Sequence, residues 1–161
     1  MPISKELFTH EKANFRERIA KLAGGTTYRE PMGGRSTDPH RMTDQDVAAA
    51  LAYARMGPDD MGPDIAFCIV CGSEWHRARI IKRLAESLNH AGGHWARKAR
   101  AHLLTIADHS FRSVVWLERT ARPEGCHPGA YGHLFLTGVI ALQSLADEAI
   151  RRAERAFQSG A

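Results

Sequence analysis

The sequence predicts an all-α protein: a single-domain bundle of about five helices, closed by a long C-terminal helix. Three observations lead there. Apolar residues recur three or four positions apart through most of the chain, which is the helical period. The one apolar run short enough to be a buried strand, residues 65–70 (IAFCIV), has no convincing second strand to pair with, and a lone strand leaves its backbone donors unsatisfied. Clusters of Gly and Pro at 24–25, 57–63, 92–93 and 122–129 then cut the chain into pieces of helical length. With 161 residues, 43% of them hydrophobic and 25% charged, the chain is long enough for one true core and ordinary in composition.

Taken in order, residues 3–23 read as an N-terminal amphipathic helix, with Ser4 as cap, Phe8, Phe15, Ile19 and Leu22 at helical spacing, and Gly24-Gly25 as its stop. Residues 24–42 carry four Gly and two Pro and read as a flexible loop, whose Arg29, Arg35 and Arg41 could reach a partner. Residues 43–161 form the helical bundle domain. Its first helix, 43–56, opens on a capping-box pattern of Thr43 and Asp46, ends near Arg55, and buries Val47, Ala50, Leu51 and Ala54. The tetrapeptide MGPD at 56–59 and again at 61–64 reads as two successive breakers. Residues 64–91 are expected as one helix, with Ile65, Ile69, Gly72, Ile80, Leu84 and Leu88 on one side; a strand followed by a turn at Gly72-Ser73 is the alternative. Residues 94–121 are expected as the next helix, with Leu103, Ile106 or Ala107, Val114 and Leu117 on its buried side and a kink or restart at Asp108 or Ser110, and it meets its predecessor as a hairpin at Gly92-Gly93. The last helix, 130–158, turns Leu134, Gly138, Ala141 or Leu142, Leu145, Ala149 and Ala153 inward. Its Asp147, Glu148, Arg151, Arg152, Glu154 and Arg155 are expected in solvent.

Charge is the most informative feature. Residues 73–102 hold seven basic side chains (Arg77, Arg79, Lys82, Arg83, Arg97, Lys98, Arg100) against two acidic ones (Glu74, Glu86). The whole chain has a net charge of +4, so the remainder is close to neutral and the excess is local. Trp75 and Trp95 stand at the edge of each basic run. Arg and Lys neutralise phosphates, and an aromatic can stack on a base, so the hairpin is a candidate surface for nucleic acid or for an acidic protein surface. The Gly-Gly turn is not that of a helix-turn-helix, and no groove-reading helix is inferred.

Two other constellations carry weaker signals. Cys68-x-x-Cys71 with His90-x-x-x-His94 has the residue types and local spacings of a zinc site, and Cys126-His127 adds a third source. The interval from Cys71 to His90 is long for a finger, and small buried thiols are normal in an apolar run. Asp108-His109-Ser110 contains the residue types of a catalytic triad, but neighbours on a helix point to different sides. No Walker loop, GxGxxG, HExxH or GxSxG pattern occurs.

The expectation is therefore a non-enzymatic regulatory binding protein with no catalytic residues. It would contact nucleic acid or a nucleic-acid-handling protein through Arg77, Arg79, Lys82, Arg83, Arg97, Lys98, Arg100, Trp75 and Trp95. The alternative is a helical protein–protein or homodimerisation module without nucleic-acid binding. No cofactor or metal is expected; zinc, at Cys68, Cys71, His90 and His94, is the one the residues would permit. Three cysteines and an N-terminal MPISKELF without an apolar run point to a reducing cytoplasm, and no apolar stretch is long enough to span a membrane.

Overall fold

A computed structural model describes residues 44–159. The expected helix over 3–23, the loop over 24–42 and Thr43 of the expected capping box lie outside the described residues. Within the described span every regular element is helical: six α-helices and one 3-10 turn, with no strand.

Helix α1 (Asp44–Ala52) has Asp44 and Asp46 in its first turn, where the helix dipole favours acids, and buries Val47, Ala50 and Leu51 as its spacing predicts. Helix α2 (Gly62–Cys71) begins with Pro63, whose missing N–H costs nothing in a first turn, and is nearly buried all round through Asp64, Ile65, Ala66 and Cys68. It ends at Gly72, at φ 62°. There glycine is favoured because a left-handed residue with a Cβ is strained.

That ending corrects one expectation. Residues 64–91 are helical, not a strand, but they form two helices and not one: α3 (Arg77–Ala91) starts after a turn over 72–76. The Ser73 N–H bonds the Cys68 carbonyl at 3.1 Å, and Ser73 Oγ accepts the Trp75 N–H at 3.1 Å, so local polar groups satisfy the broken helix end. Helix α3 turns Ile80, Leu84, Ala85 and Leu88 inward.

The segment expected as a helix over 94–121 is likewise divided. A short α4 (Gly93–Lys98) and a 3-10 turn (Arg100–His102) precede α5 (Leu103–Trp116). The break falls at Ala99–His102 and not at Asp108 or Ser110. Asp108 reaches outward to Arg77, and the fully buried Ser110 hydroxyl lies 3.0 Å from the Ile106 carbonyl and 3.1 Å from that of Phe135, so neither side chain disturbs its own helix. The expected hairpin is present, but the antiparallel partner of α3 is α5: Arg77 at the start of α3 meets Asp108 and Trp116 far along α5.

Helix α6 (Pro128–Ser159), 32 residues and about 48 Å long, is the spine against which α2 and α5 pack. Leu134, Leu142, Ala146, Ala149 and Ala153 are buried along it. Gly138 marks its closest approach to α5, because a Cβ there would lie 2.5 Å from Ser110 Oγ. Leu145, expected inside, is 42% exposed. Arg152, expected in solvent, is a cross-link: it bonds Asp60 at 2.9 Å, Glu148 at 3.1 Å and the Ala54 carbonyl at 3.1 Å. Arg55 pairs with Asp64 at 2.7 Å. Asp60 also accepts the N–H groups of Met56 and Gly62 at 3.0 Å each, so the MGPD segment is an ordered clasp between α1, α2 and α6. No helix among the described residues is long and apolar enough to cross a membrane.

Candidate anion-binding surface

The fold sorts the seven cations of the basic hairpin into three groups. Arg77 is engaged on every side. Its guanidinium bonds Asp108 at 2.6 and 3.2 Å, lies 3.6 Å from Glu74, and covers the Trp116 ring at 5.1 Å and the Phe111 ring at 5.8 Å. The Asp108 hydrogen bond is the main reason its pKa rises above the ordinary arginine value. It joins α3 to α5 and is not a free cation.

Arg79 and Arg83 form the second group, and both reach the loop between α1 and α2. Arg79 donates to the Pro58 carbonyl at 3.1 Å, and Arg83 pairs with Asp59 at 2.6 Å. The Arg83 hydrogen bond draws the Asp59 carboxyl below its usual range. These pairs are exposed, so a competing anion can exchange with them at small cost.

Lys82, Arg97, Lys98 and Arg100 form the third group, and none has an ion pair among the described residues. All four are exposed. The Lys98 ammonium lies 5.4 Å over the Trp95 ring. Lys82 and Arg100 come from different elements and line one open groove of about 330 Å³. The antiparallel return of α5 along α3 makes this groove. Ala85, Glu86, Asn89, Ala101, Leu103 and Leu104 complete its lining.

The two tryptophans part company. Trp75 is 61% exposed, with Phe67 and His76 against its edges. Trp95 is half-buried, with His94, His127 and His133 packed around it at ring separations of 4.4, 5.9 and 5.9 Å. Trp95 thus anchors α4 to the start of α6, and Trp75 is the more accessible ring.

The zinc arrangement is not assembled. Cys68 is buried and donates to the Trp75 carbonyl at 3.0 Å, near the start of α3, while His90 and His94 flank its far end. Fifteen helical residues separate the two ends by about 22 Å. Burial pushes the Cys68 thiol up to about 12, the opposite of what a thiolate ligand needs. Among the described residues no three His, Cys, Asp or Glu side chains gather where they could hold a metal ion.

Asp108, His109 and Ser110 also diverge, as helical neighbours must. Asp108 faces Arg77, Ser110 faces the core, and His109 Nδ1 lies 3.0 Å from the Tyr131 hydroxyl, which is 3.3 Å from Thr120 Oγ1. This last chain ties the 117–127 loop to α5 and α6. Burial lowers the His109 pKa below its ordinary value.

Sequence reasoning found the cations but not their neighbours. Lys82, Glu86 and Asn89 follow i, i+4, i+7 spacing and share a stripe that was legible. The arrival of Arg100 and Leu104 beside them depends on where the chain returns. No family model matches the chain, and no curated protein or solved structure shows significant similarity to it.

Proposed function

We propose that this chain is a regulatory binding protein without a catalytic role, which contacts nucleic acid through the exposed cations of its helical hairpin. One observation carries the reading: Lys82, Arg97, Lys98 and Arg100 are exposed without an ion pair among the described residues, and Lys82 and Arg100 line one groove, although Asp108 and Asp59 are committed to Arg77 and Arg83. Phosphates supply the charge that these four lack. Arg79 and Arg83 at the margin add to the field, and Trp75 is accessible to a base.

Fluorescence anisotropy of labelled single-stranded DNA and RNA against the full chain, over a range of salt, tests this. Four phosphate contacts give a slope of about −3 in log affinity against log salt, or roughly fifty-fold weaker binding between about 50 and 200 mM. Arg97→Glu combined with Arg100→Glu should abolish binding without loss of helicity, because both side chains are exposed. Absence of binding at the lowest salt would end the proposal.

A second reading has its own support. Leu136 and Ile140, one turn apart on α6, are 58% and 62% exposed. Such a pair favours a protein-binding or homodimer face. Sedimentation that shows a concentration-dependent dimer, abolished by Leu136→Ser with Ile140→Ser, would establish it.

A further inference from the structure

We infer that the groove between α3 and the start of α5 seats a single unpaired nucleotide and prefers a base with an exocyclic amino group, cytosine over thymine. The inference rests on the nucleic-acid reading above and deepens it.

The groove is at the small end of ligand clefts in volume, about 330 Å³. Its lining is chemically divided. Lys82 and Arg100 supply positive charge from two different elements, which suits one phosphate. Glu86 and Asn89 line the same groove, one turn apart on α3. A carboxylate in a phosphate-binding groove opposes the phosphate and only accepts hydrogen bonds, so it suits an N–H donor on the same ligand. Cytosine presents its N4 amino group there. Thymine presents carbonyl oxygens on both sides of its single N–H, and these meet the carboxylate with repulsion. The Asn89 amide both donates and accepts, which matches the mixed remainder of the cytosine edge. Leu104, 61% exposed at the rim, offers an apolar contact to the base face.

A base pair already uses the edge that Glu86 and Asn89 would read, so the ligand is single-stranded. The same cations would attract an acidic peptide, but Glu86 would oppose its carboxylates.

The test is anisotropy of labelled oligodeoxycytidylate and oligothymidylate of equal length against the full chain at neutral pH. Wild type should bind the cytosine strand about fivefold tighter, the value of one net hydrogen bond. Glu86→Gln should bring the two affinities within about twofold of each other. Lys82→Gln with Arg100→Gln should weaken both strands and flatten the salt dependence. Equal affinities in wild type, or a preference that survives Glu86→Gln, would overturn the groove while leaving the general nucleic-acid reading intact. No binding of either strand would overturn both. Tighter binding of poly-glutamate than of either strand, lost in the Lys82 and Arg100 variant, would assign the groove to protein and overturn the inference.

Discussion

Replacing Arg152 with alanine should cost about 2–3 kcal/mol of stability, and the clasp geometry sets that figure. The side chain is 19% exposed and its partner Asp60 is 15% exposed, so the pair is largely withdrawn from water. Breaking such a pair by removing one member costs about 3–5 kcal/mol, because the other charge is left behind. Here Asp60 keeps the Met56 and Gly62 N–H groups, which moderate the loss, while the Ala54 carbonyl loses the Arg152 N–H. For a chain of this length the loss amounts to a fall in Tm of about 5–10 °C. Urea titration and thermal melting would measure it, with the exposed Arg151→Ala as control, expected within about 0.5 kcal/mol of wild type. Arg152→Lys should recover part of the loss, since an ammonium keeps the charge but cannot span Asp60, Glu148 and the Ala54 carbonyl as a fork does. If Arg152→Ala shifts stability no more than Arg151→Ala, the clasp does not hold α1, α2 and α6 together and the argument from burial fails.

Gly138→Ala would normally gain about 1 kcal/mol of helix propensity. Here the new Cβ would lie 2.5 Å from Ser110 Oγ and 3.0 Å from Ser110 Cβ, both held in the core, so overpacking of about 1–3 kcal/mol should leave the variant less stable in a urea melt. A stabilised variant would mean that α5 and α6 can move apart freely. His109 has a folded-state pKa below its ordinary value, because burial outweighs the opposing pull of Asp108, with Arg112 acting in the same sense as burial. The unfolded chain therefore binds the proton more readily. His109 favours the fold above the ordinary histidine pKa, about 6.5, and this contribution is lost as pH falls below it. His109→Gln, which can still bond Tyr131, should flatten the acid side of the stability profile read by urea midpoints; an unchanged profile would show that His109 does not titrate with unfolding.

The periodic segments were the most legible part of this chain. The stripes Val47, Ala50, Leu51 and Leu134, Leu142, Ala149, Ala153 were read from spacing and are buried. The divided segments were not. Gly72 sits where an uninterrupted helix would place a small buried residue, so periodicity alone carried the expected helix through it, whereas its left-handed backbone and the Ser73 bonds end α2 there. The same local view placed Arg77 and Arg83 in a free cationic patch, because Asp108 and Asp59, the acids that meet them, lie far away in sequence. It also gathered Cys68, Cys71, His90 and His94 as metal candidates, though α3 holds the cysteine and histidine pairs apart.

The order of residues by itself determined that this protein is helical, which faces are apolar, and that its positive charge is concentrated between Ser73 and His102. Those are properties of near neighbours, set by a repeat of 3.6 residues and by local composition. Tertiary structure alone decided which of those charges are spent on carboxylates, that Lys82 and Arg100 share a groove with Glu86 and Asn89, and that Arg152 locks a loop some ninety positions away. Each of these is a pairing across the fold, and it exists only because burying the apolar stripes brings distant polar groups to the same edge.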